Sequence, residues 1–102
     1  MPLDVTVDLG ETKALRHVFA KFMQEKMQWV YMPHHVELLL SEDGTNWRSL
    51  GQRVTTTDDG DFLPSFETFS FPIAERARYV RLKAANQRSA GHFIFLDELV
   101  IQ

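Results

Sequence analysis

Three short groupings in this chain carry donor atoms close enough in sequence to suggest chemistry: His34-His35, Asp58-Asp59-Gly60-Asp61 and Asp97-Glu98. Imidazole pairs suit transition metals. On a strand, however, adjacent side chains point to opposite faces, and His17 and His92 are isolated in sequence. The aspartate run offers hard oxygen ligands for calcium but lacks the late bidentate glutamate of an EF-hand loop; its composition equally fits a solvated acidic turn. Paired carboxylates do general acid–base work, but Asp97 and Glu98 as strand neighbours would face apart and could not flank one substrate. The chain has no Gly-x-Ser-x-Gly elbow and no glycine-rich phosphate loop. It has no cysteine, which removes a thiolate zinc site, a cysteine nucleophile and a disulfide scaffold. The reading is a chain that binds and does not catalyse.

Binding chemistry is better represented. Trp29 and Tyr31 lie in a mixed aromatic and polar stretch, and an exposed ring there can stack on the apolar face of a pyranose. His34, Asn86, Arg88 and His92 supply hydrogen-bonding groups for the hydroxyls. The competing reading places Trp29 beneath its own loop as a satellite of the core. Trp47, just after a turn, reads as core. Arg78, Arg81 and Lys83 around Tyr79 read as a solvated sheet face more than a basic patch.

Strands must position these residues. Val5, Val7 and Leu9 alternate with polar neighbours and Gly10 stops them. Residues 13–27 carry a helical period through Leu15, Val18, Phe19, Phe22, Met23 and Met27 and on their own read as an amphipathic helix; a strand reading, with Val18, Ala20 and Phe22 inward and His17, Phe19 and Lys21 outward, is the poorer match. His35–Ser41 is a strand with Val36, Leu38 and Leu40 inward. Asp43-Gly44 is a tight-turn signal, and Asn46 to Arg53 returns as the partner. Phe66 to Phe71 is a strand ended by Pro72, residues 73–76 connect, Arg78 to Ala85 is a strand, and Phe93 to Ile101 is the last. The class is all-β, an antiparallel β-sandwich.

Successive antiparallel strands send their connections alternately to the two ends. The turns near Gly10, Asp43-Gly44 and 73–76 then share one end. The longer loops 24–34, 54–65 and 86–92 share the other, where a rigid scaffold can present binding residues.

Length and composition bound the rest. The 102 residues make one domain, and 44% hydrophobic content supports a small core. A net charge of -3 gives no electrostatic case for nucleic acid or an anionic membrane. No apolar run is long enough to span a bilayer, and no signal peptide is read at Met1-Pro2-Leu3-Asp4.

Three phrases, Ser41-Glu-Asp-Gly-Thr-Asn-Trp47, Ala77-Arg-Tyr-Val-Arg-Leu82 and Phe93-Ile-Phe-Leu-Asp-Glu-Leu-Val-Ile101, resemble in wording and order the discoidin, or coagulation factor V/VIII type C, domains. The match runs from Val5 to Ile101. Phe22-Met-Gln, Trp29-Val-Tyr-Met-Pro33, Val36-Glu37 and Phe93-Ile-Phe-Leu-Asp-Glu98 are similar to one subgroup, the C-terminal module of bacterial β-N-acetylhexosaminidases (chitobiases), common in gut Bacteroides. The resemblance implies a jelly-roll sandwich of the galactose-binding type, and with it a strand and not a helix from Ala14 to Met23. It implies a non-catalytic accessory module, cut from the C-terminal end of a larger glycoside hydrolase, facing extracellular or periplasmic glycans. The implied partners are an N-acetylhexosamine- or galactose-type glycan and the catalytic domain, with no nucleic acid and no membrane. No cofactor is expected; calcium is the one metal the resemblance leaves open, since Glu98 matches a late family glutamate that can assist that ion. A ligand-free structural role would instead leave an apolar patch around Phe19, Phe69 or Phe71.

Overall fold

The computed structural model describes residues 3–25, 30, 32–55, 65–85 and 94–102. Five strands follow in order: β1 (Leu3–Gln24), β2 (His35–Ser41), β3 (Arg48–Val54), β4 (Ser65–Ala85) and β5 (Phe95–Ile101). They hydrogen-bond in the order β3-β2-β4-β1-β5, and every pairing is antiparallel. No helix occurs among the described residues. The expected antiparallel β-sandwich is therefore present, and residues 13–24 are strand.

Two strands run further than their sequences suggest. β1 continues through Gly10, and β4 continues through Pro72 and residues 73–76. Asp8 pairs with Tyr79 and Lys13 with Ala77, so the four residues Leu9 to Thr12 face Arg78 alone. Such a bulge bends and twists both strands. Gly10 accommodates it with a φ of 86°. Asp8 holds it shut: its carboxylate accepts the Gly10 N–H at 2.8 Å and both Arg78 donors at 2.8 and 3.0 Å. Pro72, opposite His17, lies on a stretch of β4 that β2 does not reach, so its missing N–H breaks no ladder on that side.

The bend divides the sheet into two layers. One holds β3, β2, residues 79–85 of β4 and residues 3–8 of β1. The other holds residues 65–72 of β4, residues 17–24 of β1, and β5. Inward positions change parity across it: Val5 and Val7 face Leu82 and Val80, but beyond the bend Val18, Ala20 and Phe22 are the buried set. Val36, Leu38 and Leu40 join Val80, Leu82, Phe69 and Phe71 in one core cluster. Phe22 meets Phe69 edge to face at 5.6 Å. Arg53 on β3 lies 4.8 Å over the Phe71 ring, and the Thr55 hydroxyl donates to Glu67 at 2.6 Å, so contacts cross between the layers.

Phe69 and Phe71 are thus core and form no surface patch, because they sit on the inward register of β4. Trp47, expected in the core, lies outside it. It is half-buried, packing edge-on to Tyr79 at 6.4 Å with the Arg81 guanidinium 5.4 Å from its ring. Arg81 and Arg78 are neutralised by Asp4 and Asp8, so the face around Tyr79 is no basic patch.

Candidate functional site

Six strand ends meet at the rim opposite the bend. Gln24 pairs with Ser65, His35 pairs with both Val54 and Ala85, and Phe95 pairs with Met23. Backbone clamps tie the ends of β2, β3 and β4 together, and the Thr55–Glu67 and Met32–Gln24 bonds link them to the other layer. The His34 N–H donates to the Ala85 carbonyl at 2.8 Å, and the Thr55 N–H donates to the His34 carbonyl at 2.9 Å. Glu25 and Val30 exchange N–H···O bonds of 2.9 and 3.0 Å. The three longest connections leave from and return to this rim, as strand parity requires. At the other end Asp43-Gly44 turns the β2–β3 hairpin, with Gly44 at a φ of 79°. Gly10 and residues 73–76 lie at that end too, as a bend inside paired strands and not as turns.

Of the residues nominated for binding, His34 stands at the rim. Trp29, Tyr31, Asn86, Arg88 and His92 lie outside the described residues, as does the Asp58–Asp61 run. Glu98 is not brought to His34. It sits on β5 opposite Lys21 in the three-stranded layer and borders a hollow of about 210 Å³ with Phe19, Lys21, Thr68 and Val100. Among the described residues no three His, Asp or Glu side chains group closely enough to hold a metal. The register slips between Lys21 and Phe22, leaving Asp97 as the extra residue of a bulge, and Lys21 reaches it at 3.7 Å. Asp97 and Glu98 are therefore both exposed beside one lysine, not placed as an acid–base pair across a cleft.

His34 and His35 depart from the strand expectation. Only His35 is in β2; His34 occupies the bend before it. The two rings meet edge to face, centroids 5.7 Å apart, with the Nδ1 atoms 3.5 Å apart. His35 also lines a hollow of about 300 Å³ with Leu3, Asp4, Glu37, Lys83 and Ala85. Asp4 accepts two bonds from Arg81, at 2.8 and 2.6 Å, which hold its carboxyl below the usual range.

One rim residue was missed by sequence reasoning. Gln24 is 2% exposed, its Oε1 accepting the Met32 N–H at 3.1 Å. Among the described residues its Nε2 and the Ser65 hydroxyl are buried without a partner, at the strand ends where two connections begin and end. The signal was present: after Val18, Ala20 and Phe22, the next inward position is a glutamine.

Three comparisons bear on this geometry. The F5/8 type C domain profile matches residues 2–99. No curated protein sequence is significantly similar to the chain. Among solved structures, a protein described as a glycoside hydrolase aligns with a TM-score of 0.67 at 19% identity over 97% of this chain and 19% of its own. The C-terminal domain of a chitobiase from Bacteroides fragilis aligns with a TM-score of 0.66 at 21% identity, over 100% of this chain and 63% of its own. A Clostridium perfringens module, CpGH89CBM32-5, in complex with GalNAc-β-1,3-galactose, aligns with a TM-score of 0.62 at 23% identity over 99% and 66%. The chain spans less than two thirds of each of these three. Their likeness extends to the fold, while the profile match covers nearly the whole sequence: the chain belongs to the F5/8 type C domain family.

Proposed function

We propose that this domain is a non-catalytic carbohydrate-binding module attached to an exported glycoside hydrolase of the β-N-acetylhexosaminidase (chitobiase) type, extracellular or periplasmic. The observation that carries the reading is the convergence of Gln24, His35, Val54, Ser65, Ala85 and Phe95 at one rim. These strand ends bound the segments that contain Trp29, Tyr31, Asn86, Arg88 and His92. In this reading Trp29 and Tyr31 stack on an N-acetylhexosamine or galactose ring, and His34, Asn86, Arg88 and His92 take its hydroxyls. The similarity to a module in complex with GalNAc-β-1,3-galactose supports that ligand class. One stacked sugar buries little area, so affinity is on the order of 0.1–1 mM. Calorimetry of Trp29→Ala tests it: binding is lost with the fold intact, and a variant that still binds refutes the assignment.

A second reading has one observation behind it. Phe66, 53% exposed, and Phe95, 46% exposed, flank Met23 in a single row across three strands. That row suits packing against the catalytic domain of the parent enzyme, with no ligand of its own. Removing the module would then lower the parent's stability without altering its attachment to glycan.

A further inference from the structure

We propose that His34 and His35 form a two-histidine site for a divalent transition metal of the zinc class. The Nδ1 atoms are 3.5 Å apart. That exceeds the roughly 2.7–3.2 Å of a well-formed N–H hydrogen bond. It matches the ligand–ligand edge of a tetrahedral zinc site, about 3.4 Å when the metal–nitrogen bonds are about 2.0–2.1 Å. Imidazole nitrogen suits zinc, copper and nickel.

The backbone beneath the pair is fixed before any metal arrives. His34 is held on both sides, its N–H on Ala85 and its carbonyl on Thr55. His35 lies in the ladder between Val54 and Ala85. Little ordering of the chain is left for binding to supply. Both side chains are half-buried, so a metal reaches them from solvent; the hollow that His35 lines is bordered by Glu37, by Lys83 and by Asp4, whose carboxylate is held by Arg81. Two protein ligands leave the remaining positions to water, one protein ligand fewer than the three of an open catalytic zinc site. The site shares His34 with the glycan reading, but it also needs His35, which that reading does not use, and it requires no sugar.

Isothermal titration of the untagged 102-residue chain with zinc chloride tests this. One zinc ion binds per chain, and the ring resonances of His34 and His35 shift. His34→Gln and His35→Gln each weaken uptake by about tenfold or more, with thermal unfolding showing both variants folded. His17→Gln changes nothing, because His17 is engaged with Ser70 at 2.5 Å on the other layer. No uptake at about 1 mM zinc, or uptake that survives either substitution, overturns the site.

Discussion

The His34 amide donates to the Ala85 carbonyl at 2.8 Å, so the first long connection is stitched to the end of β4 at the residue just before β2 begins. The His34 carbonyl in turn accepts the Thr55 N–H at 2.9 Å, bringing the exit of β3 to the same point. One residue thereby joins the mouths of all three long connections. His34→Pro removes the donor and strands the Ala85 carbonyl, at a cost of about 1–3 kcal/mol or more. His34→Ala keeps the amide and costs much less. Urea unfolding separates them; equal midpoints would mean the bond does not hold the rim.

The two layers depend on the side chains between them. Phe22→Ala opens a cavity at a fully buried ring packed on Phe69 and should cost about 3–5 kcal/mol. Phe66→Ala, on the outward register, should change stability by no more than about 0.5 kcal/mol. A large loss at Phe66 in the isolated chain would contradict the inward and outward assignments on β4.

The end with the bend is acid-sensitive. Asp43 accepts the Asn46 and Thr45 N–H groups, each at 2.8 Å, as well as the Asn46 side chain and the Ser41 hydroxyl, and these bonds hold its carboxyl far below the usual range. Asp8, bonded to Arg78 and the Gly10 N–H, is lowered to about 2. A depressed folded-state pKa stabilises above the unfolded value, and that contribution disappears as pH falls through the folded one. For Asp8 the loss spans roughly pH 4 to 2. Amide shifts of Gly10, Thr45 and Asn46 should follow these titrations. Midpoints near 4 would show that neither carboxylate is engaged.

Much of this was legible in the sequence. Period-two alternation set β2 to the residue, and Asp43-Gly44 marked the hairpin because that turn needs a positive φ. Parity then sent the long connections to one rim. The misread positions share one cause. Gly10, Pro72 and residues 73–76 look like strand ends locally, yet Gly10 lies in a bulge clipped by Asp8 and Arg78, and Pro72 sits on an edge that β2 does not reach; both depend on a partner strand about 55–70 residues away in sequence. His34 and His35 were read as strand neighbours facing apart, but the bend at His34 turns one ring back to the other. Trp47 was read as core because tryptophan after a turn is often buried; here the register gives it Tyr79 and Arg81 on the outer face.

Ser65 offers a test of the buried polar atoms at the rim. Among the described residues its hydroxyl is buried without a partner, and leaving a buried polar group unpaired costs about 1–3 kcal/mol. Ser65→Ala should therefore be neutral or stabilising in thermal unfolding. A loss above about 1 kcal/mol would show that the hydroxyl is satisfied in solution.

The most direct test of the rim as a glycan site is an amide-resolved NMR titration with galactose, N-acetylglucosamine and chitobiose. Binding predicts saturable shifts confined to residues 24–34, 54–65 and 86–92. A well-dispersed spectrum with no shifts at about 20 mM sugar, or shifts centred on the bend near Gly10 and Gly44, would contradict it.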